Sequence, residues 1–137
     1  MDNTFHLSVI TPEHEFFDGQ AESLVFSCQD GEIGVMAGHM PMVAAVMDGD
    51  ISFKVGGEWK TAANSEGYVT IMPDQVLLMV QTVEWPDQID IARAERAARR
   101  ARERLRQKAS MHEYHEARTS LSRAMARLRV TGGRHID

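Results

Sequence analysis

Residues 85–110 read WPDQIDIARAERAARRARERLRQKAS, and the character of the chain changes across them. Trp85-Pro86-Asp87 closes one kind of sequence; from Ile89 to Lys108 there is neither glycine nor proline. Ala, Arg, Glu and Leu dominate that run, and all are strong helix formers. At about 100° per residue, Ala94, Ala97, Ala98, Ala101 and Leu105 form one stripe, flanked by Arg93, Arg96, Arg100 and Arg104. Asp87 can cap this helix, and Asp90 lies three residues on, where a carboxylate favours the exposed amides and the dipole. The run breaks at Ala109-Ser110, where Ser110 and Glu113 form an S-x-x-E box that starts a second helix. Its apolar positions Tyr114, Ala117, Leu121, Ala124 and Leu128 keep a 3-4 spacing, and Val130-Thr131-Gly132-Gly133 ends it. Two helices joined by so short a break are expected to fold back antiparallel. An alanine seam permits close approach but buries little area, so the hairpin should be only marginally stable alone and able to leave its resting place.

Upstream, the punctuation is different. All four prolines and eight of the ten glycines precede Asp87. Residues 1–86 carry two basic side chains, Lys54 and Lys60, against thirteen acidic ones, a balance of −11. Residues 87–137 carry thirteen basic against seven acidic, a balance of +6, which the net charge of −5 conceals. Turn signals recur at Asp18-Gly19, Asp30-Gly31, Asp48-Gly49, Gly56-Gly57, Glu66-Gly67 and Pro73-Asp74. Between them apolar residues alternate: Phe5, Leu7 and Val9; Leu24, Phe26 and Cys28; Ile51, Phe53 and Val55; Val69 and Ile71; Val76, Leu78 and Val80. Period two with closely spaced turns predicts a β-sandwich or barrel over residues 1–86, followed by a helical hairpin over 87–137. Val76 to Val80 is apolar on both faces, one for the core and one for a partner.

Composition excludes several function classes. At 43% hydrophobic and 26% charged the chain has a globular make-up, and 137 residues suit one domain with an appendage. No apolar run nears the roughly 18 residues that span a bilayer. The start, MDNTFHLSV, lacks a basic n-region and an apolar h-region, so a cytoplasmic chain is expected. A lone cysteine, Cys28, forms no internal disulfide and no cysteine zinc cage, and is read as a small buried hydrophobe. The HEYHE run at 112–116 is not HExxH, since the second histidine comes one residue early, and is read as solvated helix surface. No nucleophile–base pair stands out, so no catalytic residue and no metal site is assigned. The arginines suggest a polyanion, but the lone helix aromatic, Tyr114, is read as seam, and a sheet region at −11 repels nucleic acid. The segment Asp30–Pro41, with three glycines, His39 and a proline, is read as a shaped loop without a phosphate-binding pattern. Its Met36 and Met40, with Met42 next to it, are either a contact surface or core filler.

Four motifs in order carry a resemblance. They are T-P-E-x-x-F-x-G (Thr11 to Gly19, with one extra phenylalanine), D-G-E-I-G-V-M-x-G-H-x-P (Asp30 to Pro41), I-D-x-x-R-A (Ile89 to Ala94) and L-S-R-A-M-A-R-L-R-V (Leu121 to Val130). Together they resemble the epsilon-subunit family of bacterial F-type ATP synthase over nearly the whole chain. The resemblance implies an α+β fold: an N-terminal β-sandwich of about ten strands, then a C-terminal antiparallel two-helix hairpin. It implies a non-catalytic rotor subunit of the central stalk, bound to the gamma subunit and the c ring on the cytoplasmic side of the bacterial membrane, which it meets only through the complex. The hairpin would lie folded on the sandwich, or extend to the catalytic alpha/beta hexamer and block ATP hydrolysis. Glu32 and His39 match positions facing the c ring. No cofactor is required. ATP is implied as a regulatory ligand, bound without hydrolysis by Ile89, Asp90, Arg93, Ala94, Arg100, Arg123 and Arg127, with Glu84 as a further contact.

The residues themselves fit this in part. Arg93 and Arg100 lie nearly on one face, being seven apart, and a folded hairpin sets them roughly level with Arg127 and Arg123. The helical wheel points Arg123 and Arg127 away from the Tyr114–Leu128 seam, so they serve either an anion or an acidic segment of the hexamer. The competing reading is a β-sandwich adaptor whose basic hairpin binds an acidic protein or nucleic acid.

Overall fold

A computed structural model describes residues 3–107 and 110–132. In chain order the strands are β1 (Phe5–Ile10), β2 (Glu15–Ala21), β3 (Ser23–Cys28), β4 (Gly31–Met36), β5 (Met42–Val46), β6 (Gly49–Val55), β7 (Glu58–Asn64), β8 (Gly67–Ile71), β9 (Gln75–Val80) and β10 (Val83–Glu84). They form two five-stranded sheets, ordered β2-β1-β9-β8-β5 and β10-β7-β6-β3-β4. Every pairing is antiparallel except β1 with β9, which joins the first and ninth strands side by side.

The alternating rows account for this. Phe5, Leu7, Val9, Leu24, Phe26, Ile51, Phe53, Val69, Ile71, Val76, Leu78 and Val80 all point inward and are buried between the sheets. Val55 and Cys28, at strand ends, are half-buried against the same core. Phe17 and Phe53 meet with ring centroids 4.7 Å apart, and Trp85 stacks on Phe16 at 4.3 Å, so the residue that ends the sandwich also seals its edge. The outer side of β9 is apolar too: Met79 lies opposite Tyr68, Tyr68 opposite Ala45, and Tyr68 is 62% exposed.

Two turn readings change. Asp18-Gly19 is no turn but the middle of β2, where both pair with β1. The connection is made earlier, by Thr11, whose hydroxyl accepts from the amides of Glu13 and His14 while its own amide donates to the carbonyl of His14. Asp30–Pro41 is a loop only after Met36: Val35 and Ile33 alternate inward opposite Leu24 and Phe26, which makes Gly31–Met36 an edge strand. Gly56 and Gly57, both at positive φ, turn β6 into β7 as their dipeptide predicts.

Gly67 is required for a different reason. It pairs with Val80, and a Cβ there would overlap the carbonyl oxygen of Met79 and crowd Val80 Cα. Gly67→Ala should therefore destabilise the sandwich by about 3 kcal/mol through overpacking, read as a lower urea midpoint with unchanged slope.

The helices are α1 (Ile91–Arg106) and α2 (Met111–Thr131). The cap of α1 is Asp90, whose Oδ1 accepts from the Arg93 amide at 3.0 Å, and not Asp87. Pro86 fixes the backbone of a short 3₁₀ turn (Pro86–Gln88) that takes up Asp87, and Ile89 is extended, so the α-helix begins after it. Ser110 caps α2, accepting from the Glu113 amide at 3.2 Å, and Gly132 closes it. Lys108, Ala109 and Gly133 lie outside the described residues.

In α1 the expected stripe is found: Ala94, Ala98 and Ala101 are buried, Ala97 and Leu105 half-buried. In α2 it is wider. Ala117 and Ala124 are buried as expected and Leu121 and Leu128 half-buried, but Ala126 and Val130 are buried as well, and Tyr114 is exposed rather than in the seam. The reason is that α2 packs on two sides, against α1 and against β6 and β7, whereas a single heptad stripe allows for one. Tyr114 stands in the first turns of α2, where its ring meets the edge of His115.

Candidate functional site

Opposite charges in the two parts of the chain meet where α2 lies on the β10-β7-β6 side of the sandwich. Arg123 Nε donates to Asp48 Oδ1 at 2.9 Å, Arg127 Nε to Glu84 Oε1 at 2.5 Å, and Arg129 donates from Nη2 and Nε to Asp50 Oδ1 at 2.7 and 3.2 Å. The apolar part of this docking includes Val130 against Ile89 and Ala63. Asn64, buried beside Arg123 and Arg127, turns its amide nitrogen to the carbonyls of Met47 and Ser65.

Above Glu84, between the start of α1 and the end of α2, lies a cleft of about 320 Å³. That is within the size of small-molecule sites, roughly 300–1,000 Å³. Six of the expected residues line it: Glu84, Asp90, Arg93, Ala94, Arg100 and Arg127. Gln88 and Ala97 line it as well. Ala97 could have been found from spacing, since it lies four residues after Arg93 and three before Arg100 on one helix face. Gln88 carries no such signal; it is brought in by the 3₁₀ turn, where its Oε1 accepts from the Trp85 amide at 2.9 Å.

Two expected residues stand apart. The Ile89 side chain is buried in the docking cluster with Ala63 and Val130, so it packs and does not line the cleft. Arg123 faces the neighbouring crevice, which shares Glu84 and Arg127 as walls, and its guanidinium is engaged by Asp48. Seam geometry alone left the convergence of Arg127 open; the two-sided packing of α2 turns it into the cleft with Arg93 and Arg100.

The cleft is cationic. Its two carboxylates are both engaged, Asp90 on the Arg93 amide and Glu84 on Arg127. Arg93 and Arg100 are exposed and have no ion pair among the described residues. Such an arrangement can hold an anion by charge and by forked hydrogen bonds; it presents no nucleophile or base.

Glu32 and His39 are not brought side by side. Glu32 is the second residue of β4 and exposed, while His39 lies beyond the other end of that strand, its Nδ1 2.8 Å from the Met40 carbonyl. Met36 and Met40 are 65% and 71% exposed and Met42 is half-buried on the core, so the first two belong to a surface and the third to packing. His112 Nε2 is 3.4 Å from Glu116 Oε2, and no group of three metal-binding side chains assembles among the described residues.

Comparison with known proteins covers nearly the whole described chain. Residues 4–86 match the family model for the ATP synthase delta/epsilon chain β-sandwich domain, and residues 87–132 match that for its long α-helix domain. The chain is 47% identical over 131 residues to the ATP synthase epsilon chain of Ruminiclostridium cellulolyticum, covering 96% of this chain and 98% of that one. It is 40% identical to the epsilon chain of Caldanaerobacter subterraneus, with 95% of each covered. In fold it is similar to a chain of the Euglena gracilis mitochondrial ATP synthase, solved as OSCP/F1/c-ring, with a TM-score of 0.82 at 17% identity, over 92% of this chain and 80% of that one. A chain of the Tetrahymena thermophila mitochondrial ATP synthase central stalk and c-ring gives 0.62 at 12% identity, over 93% and 96%.

Proposed function

The chain belongs to the ATP synthase delta/epsilon family, and from that premise we propose how it works. It is a non-catalytic epsilon subunit of F-type ATP synthase. It turns with the central stalk, its sandwich bound to the gamma subunit and seated on the c ring. The hairpin regulates: folded on the sandwich it leaves the enzyme free, and extended to the catalytic hexamer it blocks ATP hydrolysis. ATP in the cationic cleft ties α1 to α2 through Arg93, Arg100 and Arg127 and favours the folded form.

One observation carries the reading. The hairpin is held to the sandwich by three arginine–carboxylate pairs and by small apolar side chains, Ala126 and Val130, an attachment that an acidic partner can replace. Partly exposed pairs are individually weak, on the order of 0–1 kcal/mol each, so the docked and undocked forms lie close in free energy. The arginines hidden in one form are those the other form offers. On the sandwich, the exposed Tyr68 and Met79 and the exposed Met36 and Met40 supply apolar surface of the kind protein partners cover.

Assembly is tested by recovery. When the tagged chain is purified from cells that make the complex, gamma and c subunits should come with it in fixed proportion and nucleic acid should not. Recovery without gamma and c, or with nucleic acid instead, would favour the adaptor reading and sink this one.

A further inference from the structure

Asn64 ends β7, the strand on which α2 lies, and it is 4% exposed. Its Nδ2 donates to the carbonyls of Met47 at 3.1 Å and Ser65 at 2.7 Å. That fixes the orientation of the amide, because the reverse would set Oδ1 against two carbonyl oxygens. Oδ1 is therefore a buried acceptor, and no group among the described residues donates to it. A covered acceptor without a donor is costly, and native structures leave few of them. The neighbouring buried Ser65 has no such deficit: its Oγ accepts from the Thr82 amide and donates to the Thr82 carbonyl.

Asn64 walls the crevice between the sandwich and α2, together with Glu84, Arg123 and Arg127, and the space there is about 10 Å³. That is room for one water and for nothing larger. The walls offer a water the partners it needs. Asn64 Oδ1 and the Glu84 carboxylate can accept its protons, and the guanidinium of Arg123 or Arg127 can donate to its oxygen. Two guanidiniums beside the crevice disfavour a metal cation in the same place. We propose that the crevice binds a single water on Asn64 Oδ1, and that this water is a fourth polar tie between α2 and the sandwich. A bridging water holds nearly as well as a direct hydrogen bond. The tie exists only in the docked form: when α2 leaves, its arginines go with it and Oδ1 meets bulk solvent. Asn64 is thus a positioning residue for the docked hairpin. The inference needs no nucleotide, and it adds to the docking on which the regulatory reading above depends.

The test has two arms, both on the full-length chain. A crystal structure at a resolution that shows ordered water should place one within hydrogen-bond distance of Asn64 Oδ1 and of an arginine of α2. The docked fraction is then read in solution as the distance between spin labels on Glu58→Cys and Arg118→Cys in a Cys28→Ser background, for chains with Asn64, Asn64→Leu and Ser65→Ala. Leucine fills a similar volume but accepts nothing, so Asn64→Leu should raise the undocked-to-docked ratio roughly fivefold, the worth of one net hydrogen bond. Ser65→Ala disturbs the same wall but leaves Oδ1 in place, and its ratio should stay as in the unaltered chain. A dry crevice, or a guanidinium bonded directly to Oδ1, would overturn the proposal. So would unchanged or tighter docking of Asn64→Leu, since the amide would then be no tie, and so would equal loosening by both variants, which would assign the effect to repacking of the wall. None of these outcomes bears on inhibition by the extended hairpin, which is measured separately on the complex.

Discussion

Complexes carrying a chain cut after Asp87 should hydrolyse ATP faster than those carrying the full chain, with gamma and c subunits retained. The sandwich tolerates the cut because, among the described residues, its core cluster includes nothing beyond Trp85. The helices bury alanines among themselves, Ala94, Ala98 and Ala101 on α1 and Ala117 and Ala124 on α2, and α2 meets the sandwich through its second buried face, with Ala126 and Val130, and through the three arginines. Each buried methyl contributes about 0.8 kcal/mol, against about 1.5–3 for a Leu or Phe, so removing the hairpin costs the sandwich little. The size of the rise reports the hairpin equilibrium. It is about twofold if half the complexes are blocked and about tenfold if nine in ten are. Steady-state hydrolysis by purified complexes, normalised to the catalytic subunits, measures it. Unchanged hydrolysis with the complex intact would mean that the extended hairpin does not inhibit.

Arg93→Ala and Arg100→Ala should each weaken ATP binding by the isolated chain about 10- to 100-fold, as expected for loss of one hydrogen-bonded charge pair with phosphate. Their fold should be unaffected. Both side chains are exposed, neither holds the hairpin to the sandwich, and alanine is the better helix former. Arg127 is a poorer choice, because its loss also breaks the Glu84 pair. Titration with ATP and with ADP reads the effect, and saturable binding that prefers ATP and is lost in the variants establishes the cleft as a nucleotide sensor. No binding by the unaltered chain up to millimolar ATP would leave Asp90 as a helix cap alone and assign Arg93 and Arg100 to the hexamer.

Much of the fold is written locally. The inward rows of β1, β3, β6, β8 and β9 are period-two rows in the sequence, because a pleated strand alternates its sides whatever it packs on. The Gly56-Gly57 turn and the Ser110 cap are also local, since each depends on residues within three positions. The misread elements are those where two local signals compete. Asp18-Gly19 has turn chemistry but lies opposite Ser8 and Leu7 in a ladder that Thr11 closes first. Asp87 and Asp90 are equally good caps, and Pro86 decides between them by winding the earlier residue into a 3₁₀ turn.

The candidate site divides the same way. That Arg93, Ala97 and Arg100 share a face follows from helical spacing, and the charge balance of −11 against +6 already says that the two parts attract. Which carboxylate each arginine finds does not follow. Asp48, Asp50 and Glu84 lie 75, 79 and 43 residues from their partners, and only the order of strands in the second sheet brings them under one helix. A periodicity states which side of a helix is apolar; it says nothing of how many neighbours that side meets, so the second buried face of α2, with Ala126 and Val130, is invisible in it. That second contact rotates Arg127 into the cleft and leaves Tyr114 in solvent. Local patterning, set by backbone geometry, thus determined the strands and helices; the grouping of Glu84, Arg93, Arg100 and Arg127 came only with tertiary packing, because contacts distant in sequence carry no period.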